Sequence, residues 1–441
     1  MSDLPTFKSA LILHGGAGNI QRSKIPPDLY ASYHASLQSF LRSTYALLNE
    51  GASALDAAVH CVSLLEDDEL FNSGRGSVFT KAGTIEMEAS VMVTSLRNDP
   101  NQEGEGAIKR GAGVMGIRNV RNPIHLARES LLRSGVTADG EPSDDGGCLH
   151  SQLVGPHVEK MASEWGLKFE PDEYFRTQRR GDEHRRGLKG EEDPIFMSQG
   201  TVGCVCLDQW GNLAVATSTG GMTNKLPGRI GDTPTLGTGF WAESWEAACS
   251  GTAASGDSDA GAFSVNDLVQ EARSCMVDCL PGCMRDSPSP SQSVLDHYAS
   301  EKAPLVYQGA ASQHRTKKRA IAVSGTGNGD SFLRVAASRT AAAMLRFGPS
   351  EKTLADAVTA VAGPGGDLQR SAGPRWRKTG EGEGGMIGIE ADTGPAAAGK
   401  KLRRGKVVFD FNSGGMWRAW VEEDENGNDV ERVMVFRGEY K

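Results

Sequence analysis

Residues 199–239 read Gln-Gly-Thr-Val-Gly-Cys-Val-Cys-Leu-Asp-Gln-Trp-Gly-Asn-Leu-Ala-Val-Ala-Thr-Ser-Thr-Gly-Gly-Met-Thr-Asn-Lys-Leu-Pro-Gly-Arg-Ile-Gly-Asp-Thr-Pro-Thr-Leu-Gly-Thr-Gly. A threonine, Thr201, stands directly behind a bare glycine and opens a run in which Val202, Cys204 and Cys206 alternate with Gly203 and Val205. A turn at Asp208–Asn212 and a second run, Leu213–Thr219, complete a β-hairpin with a threonine at either end. This layout suits a chain that cuts itself between Gly200 and Thr201. A threonine hydroxyl is a poor nucleophile, but an N-terminal threonine also carries an α-amino group whose pKa is about 8, so one residue supplies nucleophile and base.

Outward from the hairpin, Ala10–Leu13 reads as a buried strand running into His14-Gly-Gly-Ala-Gly18. Helices are expected from Pro27 to Asn49 and from Ser53, where Asp56 completes an approximate capping box. Strands are expected near Ile85–Val93 and Gly113–Ile117, and Pro123 suits the first turn of a helix over Ile124–Arg133. Residues 176–195 are almost wholly charged or glycine; they cannot build a core and are expected to form a mobile linker before the scissile bond. Residues 244–318, rich in Ser, Ala, Gly, Asp and Pro around one helical stretch at Val265–Cys279, read as a surface insertion. Beyond it come a strand at Ala320–Val323, a turn at Ser324–Gly329, one long helix over Asp330–Phe347, and strands near Met386–Ile389, Lys406–Phe411 and Met416–Val421.

The 441 residues carry a net charge of -9 with 6% aromatics and no basic run, which argues against nucleic-acid binding. No stretch approaches the roughly 18 apolar residues of a membrane span, and Met1–Lys8 holds no apolar leader core. A cytoplasmic protein acting on a small, zwitterionic or peptide-like substrate is the expectation. The 8 cysteines are sparse enough to be reduced thiols, and Cys275, Cys279 and Cys283, interrupted by Pro281-Gly282, suit an apolar face better than zinc. His14–Gly18 is like a lipase oxyanion loop, but no Gly-x-Ser-x-Gly elbow accompanies it, which favours a glycine turn. Gly380–Gly385 spells a dinucleotide fingerprint by letter only; no strand precedes it and no helix follows, so a flexible loop is expected.

Thr201, Thr219, Asn72, the pair Arg229 and Asp232, and Thr326-Gly327-Asn328-Gly329 remain. Singly, each has an ordinary reading as strand, turn or surface ion pair. Together they supply what amide hydrolysis needs: a nucleophile, oxyanion donors and a clamp for the substrate's charged ends. With Leu70–Val78, Arg121–Ala127, Gly200–Gly239 and Phe411–Trp417, these blocks resemble the plant-type L-asparaginase/isoaspartyl peptidase family of N-terminal-nucleophile hydrolases.

That resemblance implies one α+β domain over 1–441, a four-layer αββα sandwich, matured at Gly200–Thr201 into an α chain (1–200) and a β chain (201–441). It implies Thr201 as nucleophile with Thr219 hydrogen-bonded to it, and Asn72 and Thr326 at the oxyanion. Arg229 would hold the substrate α-carboxylate and Asp232 its α-ammonium, with Gly327 and Gly329 backbone completing the cradle. It also implies no organic cofactor, and a structural sodium ion on backbone carbonyls of Leu65, Glu66, Asp68, Phe71, Ser73 and Arg75. L-asparagine and β-aspartyl dipeptides would be the substrates, and a homodimer of cleaved αβ units the assembly. Glycosylasparaginase, a taspase-like threonine endopeptidase and an uncleaved binding scaffold are the alternatives. Two departures stand out: Met87-Glu-Ala89 and Met92-Val-Thr94 replace the family's Met-Asp-Ala and Met-Asp-Gly.

Overall fold

The computed structural model describes residues 7–96, 110–137, 140–191, 200–248, 316–392 and 402–438. Among them the strands are β1 (Phe7–Lys8), β2 (Ala10–Gly18), β3 (Met87–Val93), β4 (Gly111–Ile117), β5 (Gln152–Val154), β6 (Val202–Leu207), β7 (Leu213–Thr219), β8 (Phe240–Ala248), β9 (Thr316–Gly327), β10 (Gly384–Asp392), β11 (Arg403–Arg404), β12 (Lys406–Phe411), β13 (Gly415–Glu423) and β14 (Asp429–Met434). The helices are α1 (Pro27–Asn49), α2 (Ala54–Asp67), α3 (Pro123–Leu132), α4 (His157–Glu164), α5 (Asp172–Phe175), α6 (Gln178–Lys189), α7 (Gly329–Val335), α8 (Ala337–Arg346), α9 (Leu354–Ala362) and α10 (Asp367–Ala372).

Eight strands form one sheet in the order β14-β13-β2-β6-β7-β3-β4-β5, four form another in the order β12-β10-β9-β8, and β1 pairs with β11. Strand alternation sends each face of a sheet to a different core. Leu11 and Leu13 of β2 and Cys204 and Cys206 of β6 cluster with Leu37 and Leu41 of α1 and Val62 and Leu65 of α2. Their strand neighbours Ile12, Val205 and Leu207 join Ala320 and Ala322 of β9 and Ile387 and Ile389 of β10. The alternate residues of the second sheet, Ile321, Val323 and Met386, pack with Leu345 of α8 and Leu354, Val358 and Val361 of α9. The architecture is mixed α/β, with helices on both sheets.

Local rules account for much of this. Pro27 starts α1 and buried Leu29, Tyr33, Leu37 and Leu41 recur every four residues along it, while the Ser53 hydroxyl caps α2 by accepting from Asp56 N at 3.1 Å. The Asp208 carboxylate accepts from Trp210 N and Asn212 N and so closes the β6–β7 turn.

Four expectations need correction. The charged stretch 176–195 is not coreless throughout: Thr177 caps α6, and Gly190 ends it at φ 75°. Arg180 and Glu183 are buried because they pair at 2.8 Å, Arg180 Nε donates to Gly76 O at 2.8 Å, and the Thr223 hydroxyl donates to Glu183. His184 stacks on Phe79 and hydrogen-bonds to Asn224. Charges that satisfy one another can be interior, which a composition argument misses. Residues 192–199 lie outside the described residues.

The 244–318 boundaries fall inside strands, since β8 runs to Ala248 and β9 begins at Thr316; the remainder, with Val265–Cys279 and the three spaced cysteines, lies outside the described residues. The expected turns are strand: β2 continues through the His14–Gly18 glycines opposite β13, β9 reaches Gly327, and Gly384-Gly385 open β10. Finally, the helix expected over Asp330–Phe347 breaks at Ala336, whose φ is 46°. The amides of Ser338 and Arg339 in the first turn of α8 donate to Thr238 O and Gly237 O, so a distant loop caps α8 at a helix start the local pattern does not mark.

Arg180→Ala would leave Glu183 buried and without its partner. We expect it to lower unfolding free energy by about 3–5 kcal/mol, read by denaturant titration; a change within about 0.5 kcal/mol would mean that α6 contributes nothing to the fold.

Candidate active site

Thr201 sits at the entrance to β6, 5% exposed. Its Oγ1 is 3.0 Å from Thr233 Oγ1, in the segment right after Asp232. Val202 pairs with Ser218, so Thr201 and Thr219 come next in register. Yet the Thr219 hydroxyl does not bond Thr201: it accepts from Gly221 N at 2.9 Å. The expected threonine partner is therefore replaced by Thr233, which the sequence reading missed. Thr233 is fully buried, and its carbonyl accepts from the Ser90 hydroxyl at 2.6 Å, which in turn meets Thr217.

On the other side of Thr201 the backbone of β2 and β9 closes in. A Cβ on Gly200 would lie 2.6 Å from Thr326 Oγ1 and 2.7 Å from Ala17 N. Thr326 Oγ1 itself accepts from Ala17 N at 3.1 Å. A Cβ on Gly203 would meet Ser324 Oγ at 2.3 Å and His14 Nε2 at 2.5 Å, and those two atoms are 2.7 Å apart. Burial pushes the His14 imidazole down to about 3, so it is neutral, the Thr201 backbone opposing that shift only weakly.

Asn72 reaches the same region from the loop after α2. Its Oδ1 accepts from Val78 N at 3.1 Å, its Nδ2 donates to Gly221 O at 2.7 Å, and its carbonyl accepts from Gly220 N. Asn72 thus grips the two glycines that follow Thr219.

Arg229 and Asp232 come together, though not as a direct pair. Arg229 Nη2 donates to Asp330 Oδ1 at 3.2 Å. Asp232 is fully buried; burial first and the neighbouring Glu88 second push its carboxyl up to about 7, with Arg229 opposing. Its Oδ2 has no hydrogen-bond partner among the described residues. Gly329 packs on this pair, since a Cβ there would lie 2.5 Å from Asp232 Oδ1 and 3.0 Å from Arg229 Nη2. Gly327, at φ 143°, would place a Cβ 2.4 Å from Glu383 O and does not reach the pair among the contacts described. Glu88 and Lys225, both buried, complete the charged cluster: Glu88 Oε1 accepts from Gly231 N at 2.9 Å and Lys225 Nζ donates to Glu86 O.

In the segment proposed for a cation, the Ser73 hydroxyl donates to Leu65 O at 3.3 Å, and a Cβ on Gly74 or Gly76 would collide with Glu66 O (2.3 Å) or Phe71 O (2.0 Å). The loop is thus wound with its carbonyls turned toward glycines, and neutral carbonyl oxygens are the donors a hard cation takes. The Arg75 guanidinium stacks over Tyr174. At the second departure, Thr94 Oγ1 accepts from Leu213 N at 2.9 Å and Val93 is buried in the core, so this stretch holds the start of β7 without a carboxylate.

The asparaginase family pattern matches residues 7–259. A Xenopus laevis isoaspartyl peptidase/L-asparaginase is 36% identical over 54% of this chain and 67% of its own length. The Salmonella typhimurium isoaspartyl peptidase is 35% identical over 56% of this chain and 74% of its own. A Dictyostelium discoideum protein, provisionally named isoaspartyl peptidase/L-asparaginase, aligns over 98% of this chain and 99% of itself at 27% identity. Because the family pattern covers more than half of its length and includes Thr201, Arg229 and Asp232, this chain belongs to the asparaginase family.

Proposed function

We propose that this chain is an autoprocessing amidohydrolase that cleaves the side-chain amide of L-asparagine and the β-aspartyl bond of isoaspartyl dipeptides. The observation that carries this reading is the setting of Thr201: a buried hydroxyl, held at 3.0 Å by Thr233, directly after a glycine with no room for a side chain. Attack of Thr201 Oγ1 on the Gly200 carbonyl would shift the acyl group from nitrogen to oxygen. Water would then release Gly200 as a carboxylate and leave Thr201 with a free α-amine, the base for the second reaction. In that reaction Thr201 Oγ1 attacks the substrate amide, ammonia or a peptide amine leaves, and water frees aspartate from the β-aspartyl ester.

The remaining roles follow from position. Thr219 lies opposite Thr201 in register and holds Gly221 N, while Thr233 takes the hydrogen bond with Thr201 Oγ1. Asn72 and Thr326 serve the oxyanion, Thr326 being the hydroxyl packed on Gly200. Arg229 takes the substrate α-carboxylate, displacing Asp330, and Asp232, on which Gly329 packs, takes the α-ammonium. The carbonyls of Leu65, Glu66, Asp68, Phe71, Ser73 and Arg75 would hold a sodium ion whose contribution is to fix the loop that carries Asn72. The three apolar clusters support reading the layers as an αββα sandwich. Free thiols at Cys61, Cys204 and Cys206 suit the reducing cytoplasm.

Thr201→Ala should give one intact band on a denaturing gel and no release of ammonia from asparagine or aspartate from a β-aspartyl dipeptide, whereas Thr201→Ser should still split. A split alanine variant would move the nucleophile elsewhere. An unsplit but folded parent would return the scaffold reading.

Arg229→Ala should mature normally yet bind substrate poorly, because leaving a desolvated carboxylate unpaired costs roughly 2–5 kcal/mol. An unchanged Michaelis constant would return Arg229 to a plain partner of Asp330.

The pH dependence of stability tests Asp232. Its carboxyl, ordinarily near 3.8, is raised to about 7 in the folded chain, so the folded state keeps a proton that the unfolded chain has already released. Stability from this group is complete below pH 4 and is lost as pH rises toward 7. Asp232→Asn cannot ionise, so its Tm relative to the parent, without substrate, should climb between pH 4 and 7; a constant difference would show that Asp232 ionises at no cost.

A further inference from the structure

Glu88 departs from the family's aspartate and has no part in the proposed mechanism. It lies on β3 directly opposite Thr219, so the two side chains share one face of the sheet beside Thr201. One carboxylate oxygen is used structurally, accepting from Gly231 N at 2.9 Å. The other, Oε2, is buried and has no hydrogen-bond partner among the described residues; it would lie 3.1 Å from a Cβ on Gly231, beside Arg229 Nη1 at 2.8 Å, so carboxylate and guanidinium face the same glycine without bonding to each other.

Asp232, which follows Gly231, also has a carboxylate oxygen without a donor. Its Oδ2 is buried without a donor among the described residues and would lie 3.1 Å from a Cβ on Gly239. The cations nearby do not complete either group: Lys225 Nζ donates to Glu86 O, and Arg229 Nη2 donates to Asp330. Burying an acceptor without a donor costs about 1–3 kcal/mol, and more for a charged one. Two such oxygens flanking one glycine loop call for a ligand that brings several N–H donors and a positive charge. A primary ammonium brings three, and one carboxylate oxygen can use only one of them.

We infer that Glu88 is a second carboxylate of the ammonium subsite, sharing the substrate's α-ammonium with Asp232 and so making a free, protonated α-amino group a condition of binding. The inference rests on the proposed clamp reading of Arg229 and Asp232. The Glu88 carboxyl opposes the ionisation of Asp232, which a shared cation would relieve. Substrates whose α-amino group is acylated, as in the interior of a peptide, would be refused at this point, whatever their β-aspartyl linkage.

Glu88→Gln is the test, because the amide carbonyl can still accept from Gly231 N while the charge is gone. Inhibition of the mature enzyme by aspartate is compared with inhibition by succinate, which lacks only the α-amino group. In the parent, aspartate should bind more tightly than succinate; in Glu88→Gln the aspartate constant should weaken at least tenfold while the succinate constant stays the same or improves. A purely structural role would weaken both together or neither, and either result overturns the inference. Splitting at Gly200–Thr201 on a gel checks that the variant has folded. If it does not split, Glu88→Met, another neutral side chain of similar length, is read in the same way. Arg229→Ala and Asp232→Asn are run alongside: if neither alters aspartate or succinate binding, the clamp itself is wrong, whereas an effect there without one at Glu88 sinks only the present inference.

Discussion

Backbone crowding around Thr201 is the constraint on which the site depends. β6 is wedged between β2 and β7 and lies against β9, and at positions 200 and 203 the space a side chain would need is already taken by Thr326, Ser324 and His14. Glycine is therefore a requirement of packing there, since forcing an extra carbon into a filled interior costs roughly 1–3 kcal/mol in displaced neighbours. The crowding also fixes chemistry. It strips water from His14, which stays neutral, and leaves Thr201 with one hydroxyl partner, so the direction of its oxygen is set by Thr233 and, behind it, by the Ser90–Thr217 pair.

Charge in the neighbouring subsite is arranged by the same economy. Asp232 and Glu88 are buried near Arg229 and Lys225, yet each cation spends a hydrogen bond elsewhere, on Asp330 or on the Glu86 carbonyl. With Asp330 the cluster sets three carboxylates against two cations and is also short of donors. That is how a protein can hold a site open for a zwitterion without an occupant: Coulomb attraction keeps the carboxylates tolerable, while the unmet hydrogen bonds remain available.

The parts of the fold governed by neighbours in sequence were readable in advance. The β6–β7 hairpin, α1, the Ser53 cap and the proline start of α3 all follow from residues within four positions of one another. What escaped depends on partners far along the chain. The break at Ala336 exists because amides of Ser338 and Arg339 find carbonyls a hundred residues upstream, and α6 holds together because Arg180 reaches Gly76 and Glu183 reaches Thr223. Thr233 was in view beside Asp232, but nothing local says which way its hydroxyl points. Glu88 was visible as a departure from the family, while its place against Gly231 depended on folding two distant segments together.

The order of strands in the large sheet has a consequence for the cut proposed at Gly200–Thr201. Strands preceding residue 200 and strands following it alternate in blocks: β14 and β13, then β2, then β6 and β7, then β3 to β5. β2 is laced between two later strands, and α6 grips Thr223 and Asn224 across the cut. A break at Gly200–Thr201 would thus sever the chain without giving either piece a surface of its own. The nick would go unnoticed by the native fold and be felt only on unfolding, when what had been a one-chain search for the native sheet becomes an encounter between two strangers in solution. Maturation of the proposed kind would exchange the ability to refold for the ability to react.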